Sequence, residues 1–405
     1  MTGVNTSAAD LGIMAGFPPP ADKRITLENW DSPPFNRWSF QNIRSILPTR
    51  AIARGSAPSI ALPRAIQDLD SVAFTNIDGS ASTVAAMLDS TYTDGFILLH
   101  RGRVVMERYM NGMSEASLHL SQSVVKSFVG TLVGILVGRG VLDLDRPVSA
   151  YVPELAACGY AAALLGQVVD MRSGVRFVED YLDPNAEVSL LDRAAGWKPA
   201  IPGATPPGIY DFILALKQER PHGGHFAYRS IETDVLGWVL ERVSGMSLTE
   251  LLSRELWQPL GCEFEGCMAI DRAGTCQADG GLNAALRDFA RFGQMSLDEG
   301  TLNGREIVPA EWVGQCRRGD RAAFVPLYGE RFAAFPNACY SRQWWVLDGK
   351  TGRHAAMGVF GQMIFIDPPS QIVAVKLSSW PDFLNDATRL TTIRAIEAMA
   401  RELSA

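Results

Sequence analysis

The sequence predicts an α+β fold, an antiparallel β-sheet flanked by helices, with an inserted all-helical region in its middle. Three observations lead there. β-Rich runs gather near both ends of the chain and almost vanish from its centre. A helix that is apolar nearly all round starts at residue 123, which is how a helix buried inside a domain reads. The chain then closes on a helical pattern over residues 386–403. Strands at both ends with helices between imply one shared sheet, packed between the terminal helix and the buried one.

Each element has its own warrant. The first 75 or so residues are proline-rich and irregular (PPPADKR, DSPPFNRW), with one helix expected over 36–47; they form a wrapping segment. Residues 96–99 and 104–109 are β-rich runs joined by HRGR, whose glycine suits a tight hairpin turn. The buried helix covers 123–139, and LDLDRPVSAYVPEL is a proline-marked connection after it. Helical patterns over 164–171, 209–217, 233–243 and 248–257 alternate with Gly/Pro-rich loops. Strand character returns at 341–346, 356–366 and 372–378, with Asp367-Pro368-Pro369 turning the last two. The domain division that follows is 1–160 with 276–405 as the α/β part, and 161–275 as the helical part.

Composition excludes several classes. With 47% hydrophobic and 20% charged residues the chain is of ordinary globular type. The net charge of −7 argues against a phosphate-tracking surface, so no nucleic-acid partner is expected. The longest apolar stretch, 128–137, falls well short of the ~20 residues of a membrane span, so no membrane partner is expected either. The first basic residue is Lys23 and no apolar core precedes it, so the layout of a secretory signal is missing and a cytoplasmic location is expected. Six scattered cysteines form no CxxC pair and have no histidine nearby in sequence, so neither disulfides nor a metal site is expected.

The chemistry starts from one motif. No GxSxG occurs, and histidine is sparse near any exposed serine, so a Ser-His-Asp triad finds no support. Ser123-Val124-Val125-Lys126 is the one SxxK, and a spacing of three puts both side chains on one helix face about 5–6 Å apart at Cβ. Chance alone yields roughly 0.4 such matches in a chain of this composition, so context must carry the argument. Lysine is scarce here, with six in 405 residues. One placed a turn into an apolar helix is costly unless it has a partner or a task, because burial disfavours the ammonium. A general base needs that: half-neutrality at pH 7 requires the amine to fall about 3 units, or roughly 4–5 kcal/mol. Tyr228, at a loop-to-helix corner after HGGHFA, is the candidate for the second proton-handling group.

SVVK, YRS, the late strand pair, GVLDLDRPVSAYVPEL and the MRSGV turn together resemble the penicillin-recognising serine hydrolases, the group of class C β-lactamases, D,D-peptidases and esterases of the same fold. The resemblance runs over nearly the whole chain. NRWSF, TYTD, EDYLDP, DRAAGW, TDVLGW, SRQWW and KLSSWPD bring it nearest to the branch that hydrolyses 6-aminohexanoate (nylon) oligomers. It implies that Ser123 is the acylated nucleophile, that Lys126 takes its proton, and that Tyr228 relays protons to the leaving group and the deacylating water. The backbone N–H of Ser123 would form half of the oxyanion hole. Lys350-Thr351-Gly352 spells the family's third motif literally, but it follows Asp348-Gly349 in what reads as a turn. Alignment through GVFGQ puts Ala356-Met357-Gly358 there instead, with the N–H of Val359 as the second oxyanion donor, and this placement is favoured.

The resemblance also speaks to substrate. Tyr181 and Asp192 match residues that orient the amide in the nylon-oligomer branch, the aspartate facing its cationic end; a helix cap is the plain alternative for Asp192. Phe360, Arg229 and Asp279 stand where that branch has histidine, cysteine and asparagine. Phe360 and Asp279 are counted with the substrate-binding residues. Trp344 and Trp345 alternate on a strand, so one packs inward and the other walls the cleft; the sequence leaves open which, and Trp344 is counted with the substrate-binding residues. The expected activity is hydrolysis of a small-molecule linear amide or ester through an acyl-enzyme, without metal or cofactor. A carboxylesterase, a β-lactamase or D,D-peptidase, and a non-catalytic scaffold are the rivals; the oligomeric state, a homodimer included, stays open.

Overall fold

The computed structural model describes residues 5–203 and 205–404. Seven strands make the main sheet: β1 (Thr93–His100), β2 (Arg103–Tyr109), β3 (Cys339–Ser341), β4 (Trp344–Asp348), β5 (Arg353–Met357), β6 (Met363–Asp367) and β7 (Ile372–Ser378). Their order is β3-β4-β5-β6-β7-β1-β2, with every neighbouring pair antiparallel. The early hairpin therefore joins the late strands, and it does so through β1 and β7, where Leu99 faces Val373 and Ile97 faces Val375.

Both faces of this sheet are covered. Along β1, Ile97 and Leu99 pack into one core, while Phe96 and Leu98 pack into another on the opposite face. That is why the run reads as continuously apolar rather than alternating. Ile393, Ile396 and Met399 of the terminal helix (Asp386–Ser404) fill the second core. The first core holds a helix that the sequence reading left out, α3 (Leu286–Leu297). The buried helix α1 (Val125–Gly138) stands one layer behind it, with Phe128 stacked on Phe292 at 3.6 Å. The expected layering is corrected accordingly: α3, not α1, covers the sheet. Gly293 lets it approach, since a Cβ there would lie 2.6 Å from Val373 Cγ1.

Three further expectations need correction. Residues 341–346 are not one strand: they run from the end of β3 through a tight turn at Arg342 (φ 51°) and Gln343 (φ 67°), both left-handed, into the start of β4. The turn is held by Asp170, whose carboxylate accepts from Arg342 N at 2.7 Å, and by Gln343 Nε2 donating to Val169 O at 2.8 Å. Residues 356–366 split at a turn over Val359–Gly361, and the helix expected over 36–47 is two short turns, Asn36–Ser39 and Ile43–Ser45. The central region is also not purely helical. Gly266–Ala269 pairs with Thr49–Ile52 and Leu282–Ala285 in a four-stranded sheet completed by Leu118–Leu120. GCMA lacks β-branched residues and is buried on both faces, so it carries neither propensity nor alternation.

The helical segments of the centre include Leu165–Val169, Glu187–Ala194, Ile209–Ala215, α2 (Ile231–Ser244) and Leu248–Leu252. The N-terminal segment contacts the chain's later course at two places: Trp30 Nε1 donates to Trp197 O at 2.8 Å, and Asn36 Nδ2 donates to Trp380 O at 2.7 Å. All six cysteines are free thiols, and among the described residues no helix is long and apolar enough to cross a membrane.

Candidate active site

Ser123 sits in a 3-10 turn, Gln122–Val124, wedged between the strand Leu118–Leu120 and α1. Gln122 takes a left-handed φ of 48°, a conformation a non-glycine residue rarely adopts and one that clusters at functional sites. Ser121 N bonds Leu282 O at 2.8 Å, which pins the turn to the neighbouring sheet. One helical turn on, Lys126 is 2% exposed and its Nζ donates to Ser123 Oγ at 3.0 Å and to Asp279 O at 2.5 Å.

Tyr228 comes from the loop before α2 and meets this pair from the opposite side. Lys126 Nζ lies 5.4 Å from the Tyr228 ring centre. The ring stacks on Trp345 at 5.3 Å, and Tyr228 N donates to the Tyr328 hydroxyl at 3.2 Å. Ser123 and Tyr228 open into one cavity of about 110 Å³, walled largely by aromatic side chains.

Electrostatics correct one expectation. Burial pushes the Lys126 amine down, but Tyr228, Asp279, Glu179 and Asp234 act against it and leave the amine above its ordinary value. Burial therefore does not by itself neutralise Lys126. Burial likewise raises the Tyr228 phenol, with the Lys126 charge pulling it back. The acids around the amine are raised as well. Asp279 is raised by burial against the pull of Lys126, and Asp234 lies well above its usual range through burial and the Asp279 charge. Asp234 Oδ1 accepts from Ala278 N at 2.9 Å, whereas Asp234 Oδ2 and Asp279 Oδ1 are buried without a partner among the described residues. The resting arrangement is an ammonium facing a phenol and a hydroxyl, inside a shell of acids.

The strand end opposite Ser123 is Ala356-Met357-Gly358. Met357 and Gly358 line the cavity, as does Val359. Gly358 N bonds Gln362 O and Phe360 N bonds Phe383 O, both at 2.9 Å, while the N–H groups of Val359 and Ser123 have no partner among the described residues. Phe360 follows at φ 58° and Gly361 at φ 90°, so the chain turns sharply just after Val359. Lys350, by contrast, is exposed in the turn before β5, its N–H bonded to Asp348 Oδ1 at 3.0 Å. The literal Lys-Thr-Gly thus lies away from the residues that line the cavity.

A second, smaller cavity shares Ser123 and Val359 and is lined by Asp192, Asp279, Tyr181 and Phe360, together with Asp31. Asp192 lies in the last turn of the helix Glu187–Ala194, where a carboxylate opposes the helix dipole, so it is no cap. Burial raises its carboxyl well above the usual range, and the Asp279 and Asp31 charges add to this. Tyr181 stacks on Phe383 at 5.4 Å and donates to Glu179 Oε1 at 2.6 Å. Phe360 packs on Phe383 and Phe40.

Trp344 is a correction: it is 1% exposed, stacked on Phe292 at 5.7 Å, and its neighbour Trp345 lines the cavity instead. Strand alternation allows only one of the two to face the cleft, and α3 claims the other. Arg229 also turns away from the cavity, paired with Glu232 at 2.6 Å and capping Ser173 O. Glu179 was missed. It accepts from Ser230 N at 2.8 Å and from Tyr181, and thereby braces both cavity walls. One glutamate in the loop sequence EDYLDP carries no pattern by which to single it out.

Comparison with known proteins gives the family. Residues 81–398 match the Beta-lactamase family model, and the chain belongs to that family of hydrolases. Within it, the chain is 37% identical to 6-aminohexanoate-dimer hydrolase of Paenarthrobacter ureafaciens, over 91% of each chain. Among solved structures, a Bacillus anthracis protein provisionally assigned as a 6-aminohexanoate-dimer hydrolase superposes with a TM-score of 0.87 at 29% identity, covering 95% of this chain and 98% of that one. A family VIII carboxylesterase shares the fold at a TM-score of 0.56 and 16% identity, covering 77% of this chain and 93% of that one.

Proposed function

We propose that the chain is a serine hydrolase that cleaves linear amides of the 6-aminohexanoate-oligomer type through an acyl-enzyme on Ser123. The observation that carries this reading is the contact of Lys126 Nζ with Ser123 Oγ at 3.0 Å, in a cavity shared with Tyr228 and lined by Val359. Neutral Lys126 takes the hydroxyl proton as Ser123 attacks the amide carbonyl. The charge that develops on the carbonyl oxygen is met by the unpartnered N–H groups of Ser123 and Val359. Tyr228 delivers a proton to the departing amine and later orients the deacylating water. Asp192 faces a cationic amine on the acyl half, with Tyr181, Phe360 and Asp279 shaping that cavity. Support for the substrate class comes from the relatives at 37% and 29% identity, whose names refer to 6-aminohexanoate dimers.

A carboxylesterase is the second reading, favoured by the wide aromatic wall around Ser123 and by the esterase that shares the fold. One panel separates the possibilities: p-nitrophenyl esters, linear 6-aminohexanoate amides and nitrocefin, each with the native protein and with Ser123→Ala. Turnover of the linear amides that disappears in Ser123→Ala is expected. Turnover of esters alone would move the assignment to the carboxylesterase, and of nitrocefin alone to a β-lactamase. Failure of Ser123 to react with a fluorophosphonate probe would leave a non-catalytic scaffold.

A further inference from the structure

Two cavities meet at Ser123, and their charges differ. The smaller holds Asp192, Asp279 and Asp31, of which Asp31 is paired with Lys198 at 2.5 Å and the other two have no cationic partner of their own among the described residues lining that cavity. The larger contains Tyr228 and, besides aromatic and other apolar side chains, is lined by Gln362, Asn385, Arg331 and Arg389. The acid nearest to these two arginines is Asp386, and they share it: Arg331 Nε approaches Oδ2 at 3.1 Å and Arg389 Nη2 approaches Oδ1 at 2.9 Å. Two guanidiniums on one carboxylate leave a positive charge unmatched. Glu179 also lines this cavity, but its carboxylate is engaged by Ser230 and Tyr181.

Arg389 carries the clearest sign of an unfilled role. Its guanidinium lies over the Phe332 ring at 5.2 Å, which fixes the fork in place. Its Nε is buried with no hydrogen-bond partner among the described residues. Burial and the neighbouring Arg331 both work against its charge, with only Asp386 in support. A buried donor left unsatisfied costs about 1–3 kcal/mol, more for a charged group, and an arginine fork matches a carboxylate in shape.

We infer that the larger cavity receives the leaving half of the substrate, and that Arg389 with Arg331 recognises a carboxylate at the end of that half. The assignment of sides rests on the reading above that Tyr228 protonates the leaving amine. With an acidic cavity on one side of Ser123 and a cationic one on the other, the site is complementary to a linear amide bearing an ammonium on its acyl half and a carboxylate on its leaving half. The aromatic wall between Tyr228 and the arginines, built from Trp345 and Phe332, suits an unbranched methylene chain.

The test needs no turnover, so its failure is distinct from failure of the hydrolase assignment, which the panel on p-nitrophenyl esters and amides decides separately. Calorimetric titration of the Ser123→Ala protein with 6-acetamidohexanoate and with its neutral carboxamide compares two leaving-half probes that differ only at the terminus. The carboxylate is expected to bind at least about tenfold tighter at low salt, ~1.4 kcal/mol. Arg389→Gln in the same background should bring the ratio of the two affinities to near one, and Arg331→Gln should reduce it in part. Equal binding of the two probes by the Ser123→Ala protein would overturn the inference, as would no binding of either at millimolar concentration. So would a preference for the carboxylate that survives when both arginines are replaced.

Discussion

Replacing Gly358 by alanine puts one methyl group beside the N–H groups of Ser123 and Val359, the oxyanion donors of the proposed mechanism. A Cβ built on Gly358 would lie 2.8 Å from Ser121 O, 3.0 Å from Gln122 Cβ and 3.1 Å from Ser123 N. Two of these three are backbone atoms of the turn that carries the nucleophile, and that turn is anchored by Ser121 N to Leu282 O, so it cannot give way cheaply. Ordinary C···O contacts start at about 3.3 Å, so the strand end must retreat by about 0.5 Å. Oxyanion donors work only within about 2.7–3.1 Å of the oxygen, a window narrower than that retreat. The Val359 N–H therefore falls out of register, and losing one such donor costs ~2.7–4 kcal/mol, or 10²–10³ in kcat. The accompanying overpacking should cost ~1–3 kcal/mol of stability, which leaves a folded protein to assay. The measurement is kcat on p-nitrophenyl acetate beside a thermal melt, with Lys350→Ala as the companion variant. Lys350 is in the exposed turn, so its loss should change kcat/KM by less than about threefold, under ~0.7 kcal/mol. A folded Gly358→Ala with near-native kcat, or a crippled Lys350→Ala, would refute the placement of the oxyanion strand.

Other outcomes follow from the same geometry. Ser123→Ala should abolish turnover of every substrate with the melt unchanged, Lys126→Ala should lose about 10²–10⁴, and Lys126→Arg should not recover it because a guanidinium accepts no proton; activity restored by arginine would mean the residue acts only through its charge. Because the acids around Lys126 hold its amine above the ordinary value, the neutral base becomes populated only as pH rises, so kcat/KM should still be climbing in the alkaline range. Asp279→Asn removes one of those acids and should move the rising limb to lower pH, with roughly a threefold gain at pH 7 for each half unit moved; an unmoved limb would show that Asp279 does not set the amine's charge. Trp344→Ala should destabilise the fold by ~3–5 kcal/mol, seen in the melt, whereas Trp345→Ala should act mainly on kcat by releasing the Tyr228 ring it stacks on.

The parts of this molecule that could be read from its sequence are those where one local signal decides the structure. The hairpin of β1 and β2 is of this kind, because HRGR supplies Arg101 and Gly102 in the left-handed region, as a two-residue hairpin turn requires. So is the Ser123–Lys126 pair, where spacing on a helix fixes the side chains on one face. What escaped was decided by partners distant in sequence. The β3–β4 turn uses Arg342 and Gln343 at positive φ, residues with no turn signature, and they are held there by Asp170 and Val169 from the helical part. Which tryptophan faces the cavity depended on α3, whose Phe292 takes Trp344.

The charge on Lys126 belongs with these, and it changes what the site asks of the reaction. An apolar helix alone would favour a neutral amine, and the sequence around residue 126 shows nothing else. The opposing acids arrive from three separate stretches, at Glu179, Asp234 and Asp279, none of them within 50 residues of the lysine in the chain. Asp279 meets Lys126 twice, through its carbonyl as hydrogen-bond acceptor and through its carboxyl as counter-charge. An asparagine in its place would keep the first contact and lose the second. The same position therefore holds the amine in line with Ser123 Oγ and sets how readily it gives up its proton, so substitution there should separate the alignment of the base from its basicity.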